Sequence, residues 1–200
     1  MSASSEQRAL HLSLSNEHYT PRATVDAARE VLDGRIDLDP ASCELANKIV
    51  GATKIYTRDD DGLAQPWHGN VFLNPPGGKV EGASSALIWW RHLLGCWFRG
   101  DVGAAIFIGF SLEILRSTQA QGEVSLDPFD FPFAVPRQRM RFLTAHDGAL
   151  VSQGSPTHAN VIVFLPRHGS ATEVQRFAQV FAKLGRVALP TTPAGRAVRP

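Results

Sequence analysis

Val71-Phe72-Leu73-Asn74-Pro75-Pro76-Gly77-Gly78 is the stretch on which the fold turns. The apolar run reads as a buried strand, and it ends in an amide followed by two prolines. Proline cannot donate a ladder hydrogen bond, so Pro75 and Pro76 must stop the strand. The residue before a proline is pushed into an extended conformation. Asn74 is therefore expected at the carboxyl end of a strand, on a stiff backbone, where open α/β sheets place their ligands. Such a corner can set an amide and its neighbouring carbonyls against the edge of a flat polar ring.

Working outward, Thr24 to Leu32 carries Val25, Ala28, Val31 and Leu32 on one helical face, with Thr24 as the expected N-cap and Asp33-Gly34 as the stop. Arg35 to Asp39 alternates and turns at Pro40, giving a short first strand. Glu44 to Gly51 reads as a short helix, Ile55-Tyr56 as a second strand and Asp59 to Gly62 as a turn. Gly77 to Ser85 is expected to be a loop, Ala86 to Phe98 a helix and Gly103 to Phe110 a buried strand. Ser111 is placed to cap a helix that starts there. Phe129 to Pro136 is expected to be irregular or an edge strand. Arg137 to Leu143 and Asn160 to Leu165 read as paired strands joined by the polar stretch from Thr144 to His158. A helix over Thr172 to Leu184 precedes a last strand near Val187-Ala188-Leu189. Strands alternating with helices predict an α/β domain with a mostly parallel sheet and an antiparallel edge. The expected organisation is a flexible segment over 1–15, a single domain over 16–190 and a tail over 191–200.

The chain has 200 residues, 44% hydrophobic and 20% charged, which suits one globular domain. A net charge of +1 gives no global attraction for nucleic acid, so a nucleic-acid reader needs a local basic patch. Cys43 and Cys96 have no metal-like spacing, and two thiols in a reducing cytoplasm are the expected state. The amino terminus shows no signal-peptide pattern, no apolar run is long enough for a membrane span, and no metal site is expected.

Four segments in order resemble the phage-type DNA adenine-N6 methyltransferases, which use S-adenosylmethionine. They are Asn16-Glu17-His18-Tyr19-Thr20-Pro21; Ile36 to Ser42 followed by Ala46-Asn47; Tyr56-Thr57 with Asp60-Asp61-Gly62-Leu63 and Trp67; and Val71 to Pro76. Arg139 to Phe142 and Ala159 to Val163 are similar to the family's later strands, so the likeness spans about residues 16–165. It implies a Rossmann-like methyltransferase fold in a bacterial host's cytoplasm, encoded by a phage or prophage, with short or relaxed sequence specificity. Tyr19, Thr20 and Pro21 would contact the methionine end of the cofactor. Asp39, Pro40, Ala41 and Ser42, with Asp37 before them, would wrap it. One acid among Asp59, Asp60 and Asp61, Asp60 being our choice, would sit near its ribose or adenine. The family carries an aromatic residue after the second proline to stack on the extruded base, and this chain has Gly77. Trp67, Trp89, Phe110 and Phe131 are the candidate substitutes, unless the glycines form a mobile flap.

The chemistry fits the residue types. The exocyclic amine of adenine is a poor nucleophile because its lone pair is delocalised into the ring. Asn74 and the Pro75 carbonyl are suited to accept its two hydrogens, with Pro76 stiffening the corner, and so to aim the lone pair. An amide does this without burying a charge. A base in duplex DNA must be flipped out to reach such a site. Lys79, Arg137, Arg139 and Arg141, with Arg91, are the candidate phosphate contacts. Two further readings stay open from sequence: the same fold acting on another base or amine, and a non-catalytic protein that binds nucleic acid or a partner.

Overall fold

The structure is a computed structural model that describes residues 18–115, 127–146, 149–152 and 158–190. The expected 1–15 segment and 191–200 tail lie outside the described residues. A seven-stranded sheet forms the centre, in the order β2 (Lys54–Ile55), β1 (Leu38–Asp39), β3 (Gly69–Leu73), β6 (Val102–Gly109), β10 (Val161–Leu165), β7 (Phe133–Pro136) and β11 (Gly185–Ala188). The first four run parallel, and β10 enters antiparallel beside β6. β7 and β11 continue the antiparallel side. The chain is thus α/β with a mainly parallel sheet and an antiparallel edge, as its pattern predicts. Two small hairpins lie outside the sheet: β4 (Lys79–Val80) with β5 (Ala83–Ser84), and β8 (Leu143–His146) with β9 (Ala149–Ser152).

Helices cover both faces. α3 (Ser85–Phe98) buries Trp90, Leu93 and Trp97 against Val71, Leu73, Phe107 and Val163. α1 (Arg22–Val31) and α4 (Ala171–Ala182) bury Val25, Ala28, Val31, Phe177 and Phe181 against Phe72, Ile106, Ile162 and Phe164. Full burial of each such side chain is worth about 1.5–3 kcal/mol, so both layers pin the sheet. α1 starts one turn earlier than expected: Pro21 is its N-cap, and Thr24 is buried inside it, with its hydroxyl directed to Met140 Sδ at 3.6 Å. The stop is as read, because Asp33 and Gly34 both take left-handed backbone angles. α2 (Glu44–Val50) is capped by Cys43, whose sulfur accepts the Ala46 N–H.

The expected strand pair of Arg137–Leu143 with Asn160–Leu165 does not form. β10 instead lies between β6 and β7, with Ile162 opposite Ala134. β7 is therefore internal rather than an edge, and Pro136 is tolerated because it is the strand's last residue. Residues 137–142 form an irregular strap outside the sheet. Met140 and Phe142 are buried while Arg139 and Arg141 are exposed, but the Met140 N–H goes to the Asn160 side chain at 2.8 Å rather than to a ladder.

The chain leaves β1 through α2 to reach β2 on one side, then returns to lay β3 on the other. In open α/β sheets such a reversal marks the place where ligands bind, outside the carboxyl ends of β1 and β3. The opposite, amino end of the sheet is closed by charge. Arg167 bonds Asp33 (3.0 Å), Glu173 and Asn70 Oδ1 (2.8 Å), and Arg176 joins Asp33. Asn70 Nδ2 donates onward to the Leu32 carbonyl at 2.8 Å.

Candidate functional site

Asn74 stands at the carboxyl end of β3, half-buried, with Pro75 buried and Pro76 exposed behind it. Its Nδ2 donates to the His18 carbonyl at 2.7 Å. A carbonyl only accepts, so this bond fixes the amide's orientation and leaves Oδ1 as the acceptor for another group. His18 is held in turn by ring stacking on Phe110, with centroids 5.1 Å apart and planes at 20°. The next residue, Tyr19, exchanges both backbone hydrogen bonds with Leu143, each at 2.8 Å. The Cys43 thiol lies 3.6 Å from the Tyr19 hydroxyl. The segment before α1 therefore bridges the two strand ends: His18 takes Asn74 after β3, and Tyr19 reaches Cys43 after β1.

On the β1 side, Asp39 is 3% exposed. Burial pushes its carboxyl up to about 7, against the pull of the Ser42 hydroxyl and the Ala41 N–H. The Ala41 N–H donates to Asp39 Oδ1 at 3.3 Å. The loop is tied down by Ser42 N–H to the Tyr56 carbonyl (2.9 Å) and Tyr56 N–H to the Asp39 carbonyl (3.1 Å). Gly62 packs so closely on the Pro40 carbonyl and Trp89 that no side chain fits there, and Trp67 Nε1 donates to the Gly62 carbonyl at 2.7 Å. One buried hydroxyl in this neighbourhood, Thr20 Oγ1, makes no hydrogen bond among the described residues, while the Ser42 hydroxyl faces the Asp39 carboxyl. An unsatisfied group of this kind costs about 1–3 kcal/mol unless something satisfies it.

Of the residues expected to bind a cofactor, Tyr19, Thr20, Pro21 and Asp39 to Ser42 gather on these linked segments beside Asn74 and Pro75. Asp37 does not. Its carboxylate accepts the Asn70 N–H at 2.8 Å and pairs with Arg35 at 2.7 Å, packed against Gly69 at the amino end of β3. That is a structural role, fixing the bulge where β3 begins. Asp60 is likewise committed elsewhere. It closes a capping box on a 3-10 turn, accepting both the N–H and the hydroxyl of Thr57 at 2.7 Å, and those bonds hold its pKa below the usual carboxylate range. Asp59 and Asp61 are exposed on the same turn.

Among the candidate phosphate contacts, Lys79 is exposed on the β4–β5 hairpin, and Arg139 and Arg141 project from the strap. Arg137 is drawn to the far edge, where it donates to the Ala182 carbonyl. Three candidate stacking aromatics belong to the core: Trp67 (1% exposed), Trp89 (8%) and Phe131 (0%). Phe110 alone is half-buried at a strand's carboxyl end. Sequence reasoning assigned no role to Asn160, yet its Nδ2 donates to the Phe110 carbonyl at 2.6 Å while its Oδ1 takes the strap. A polar residue at the head of the apolar run Val161–Leu165 was the available signal. Nothing in the local sequence around His18 signals its bond to Asn74. No group of metal-ligating side chains occurs among the described residues, and no helix among them is long and apolar enough to cross a membrane.

Comparison with protein-family models, with curated proteins and with solved structures finds no match for this chain.

Proposed function

We propose that this chain is an S-adenosylmethionine-dependent DNA methyltransferase acting on adenine N6, on a Rossmann-like methyltransferase fold. The observation that carries the reading is the meeting of two motifs. Asp39-Pro40-Ala41-Ser42 and Asn74-Pro75-Pro76 end neighbouring parallel strands at the topological switch point, and the Tyr19-Thr20-Pro21 segment links them. Three stretches distant in sequence converge where a ligand is expected.

The residues present suit the proposed donor. Thr20 offers a buried hydroxyl that lacks a partner among the described residues, and Asp39 offers a buried carboxyl met by the Ser42 hydroxyl and the Ala41 N–H and by no cation among them. A molecule carrying an ammonium, a sulfonium and several hydroxyls would satisfy both. Tyr19, Thr20, Pro21 and Asp39 to Ser42 would hold it, and bound there it supplies an electrophilic methyl group. The protein's task is then positioning. Asn74 Oδ1 and the Pro75 carbonyl accept the two hydrogens of the target amine, which localises its lone pair. The donor would supply the methyl group, its carbon–sulfur bond breaking with the electron pair left on sulfur as the amine nitrogen held by Asn74 and Pro75 takes the carbon, and the amine would then lose a proton. No base is required beforehand, because the attacking amine is neutral. Arg139, Arg141 and Lys79 supply phosphate contacts around the mouth.

The test is tritiated methyl transfer to unmethylated DNA by wild type and Asn74→Ala, with donor binding followed by calorimetry. Incorporation by wild type and its loss in Asn74→Ala, with binding kept, support the reading. Donor binding without any incorporation removes the catalytic assignment. Gly77, exposed with open space around it, favours a second reading in which the same site takes another base or amine; nucleoside mass spectrometry of the methylated product separates the two.

A further inference from the structure

We propose that Asn160 is a positioning residue for the DNA backbone: it holds the strap over 137–142 in the arrangement that turns Arg139 and Arg141 outward, toward phosphate. This inference rests on the DNA-binding part of the reading above.

The strap leaves β7 at Pro136 and ends at Leu143, where Tyr19 takes both main-chain bonds. Its first residue is fixed by the Arg137 N–H on the Leu184 carbonyl at 3.0 Å. Between these anchors, Met140 and Phe142 bury their side chains while Arg139 and Arg141 are exposed. Apolar contact is non-directional, so it keeps the strap down without fixing which way its backbone is turned. A hydrogen bond is directional. The Met140 N–H donates to Asn160 Oδ1 at 2.8 Å, which fixes the peptide between Arg139 and Met140 and, with it, the outward side of the arginines.

Asn160 is itself firmly held. It is 2% exposed and stands directly before β10, whose first residue, Val161, lies opposite Gly109, the last of β6. Its Nδ2 donates to the Phe110 carbonyl at 2.6 Å. A carbonyl only accepts and a main-chain N–H only donates, so the two bonds allow one orientation of the amide. The strap is thereby tied to the end of the central strands near which Asn74 stands. A buried amide costs free energy unless both its ends are bonded, and here one end is committed to the middle of the strap. Arginines carried on a backbone that is already set lose less freedom on meeting a phosphate.

A fluorescein-labelled unmethylated DNA duplex is titrated with the full-length protein at several salt concentrations, for wild type, Arg141→Ala, Asn160→Ala and the double variant. Losing one phosphate contact makes the fall of log affinity with log salt shallower by about 1, and Arg141→Ala should show that loss. Asn160→Ala removes no charge, yet it should make the slope shallower by about 1 to 2. Arg141→Ala should also cost less affinity in that background than in wild type. An unchanged slope in Asn160→Ala, or strict additivity of the two substitutions, overturns the inference, because a merely structural amide alters stability and leaves the salt dependence alone. Where Asn160→Ala does not fold, Asn160→Ser, a gentler truncation, should give the same loss of slope. In wild type, the duplex should shield Arg141 from hydroxyphenylglyoxal, with modification mapped by mass spectrometry; equal modification with and without DNA overturns the inference. Methyl transfer is followed separately. The expected slopes in a protein that transfers no methyl group support the positioning role and remove the catalytic reading. Transfer together with an unchanged slope in Asn160→Ala does the reverse.

Discussion

Asn74 and His18, 56 residues apart in sequence, are joined by a hydrogen bond from a side-chain amide to a main-chain carbonyl at 2.7 Å. This bond sets the direction of the amide at the candidate site. It also makes an acid at that position unfavourable, because a carboxylate would face the His18 carbonyl with no proton to donate. Asn74→Asp should lower stability by about 1–3 kcal/mol through that unsatisfied pair. Asn74→Ala should lower methyl transfer by about 100-fold or more, the scale of losing one oriented polar group. Urea denaturation and initial rates check the two effects separately. An Asn74→Asp protein as stable as wild type would show that the bond does not orient the amide.

Asp39 predicts a specific pH dependence. Its folded-state pKa is raised to about 7 by burial, well above an unfolded carboxyl, so the folded protein holds this proton more tightly. Its contribution to stability is complete below pH 4 and is lost as pH rises through about 7. Asp39→Asn removes the titration. The stability difference, variant minus wild type, should therefore grow by roughly a few kcal/mol between pH 4 and pH 7. A difference that stays flat over that window would mean the carboxyl ionises normally. Calorimetry of donor binding in two buffers of different ionisation heat near pH 6 should also report proton release, since a bound cation favours the carboxylate.

The unsatisfied Thr20 hydroxyl predicts opposite effects on stability and affinity. Thr20→Val removes a buried group with no partner among the described residues. It should raise stability by up to about 1 kcal/mol while weakening S-adenosylmethionine binding about 5- to 10-fold. Thermal melts and calorimetry on the same samples decide. A stabilised variant with unchanged affinity would exclude that hydroxyl from the site.

Gly109 closes β6 against β10 so tightly that an added Cβ would meet Val161 Cγ1 at 2.5 Å, with Ile114 Cγ2 at 3.2 Å beside it. Gly109→Ala should cost about 1–3 kcal/mol by overpacking. Val161→Ala alone also destabilises, by opening a cavity, but the double variant should be more stable than the sum of the two losses predicts. Strict additivity in a denaturation cycle would show that the two groups do not collide.

Much of the architecture was legible because apolar periodicity is a direct trace of burial. The runs at Val71–Leu73, Gly103–Phe110 and Asn160–Leu165 all became central strands, and the helical faces at Val25–Leu32 and Ala86–Phe98 all became buried faces. The strap was misread for the same reason. Arg139-Met140-Arg141-Phe142 alternates because one face is buried, but alternation does not say where the N–H groups go, and here a side chain takes one of them. Asp37 is a similar case: one acid at a strand end looks like another, and the Gly69 bulge, invisible in local sequence, claims its carboxylate together with Arg35. The Asn74 corner was legible because proline chemistry is local. Its bond to His18 was not, since it depends on how a segment 56 residues upstream docks.

The charge network of Asp33, Arg167, Glu173 and Arg176 sits at the end of the sheet remote from Asn74 and Asp39. The ionic anchorage and the candidate site are thereby segregated along a single strand direction. Substitutions at the rim in consequence leave these ion pairs untouched, and the charges can be altered without reaching Asn74 or Asp39.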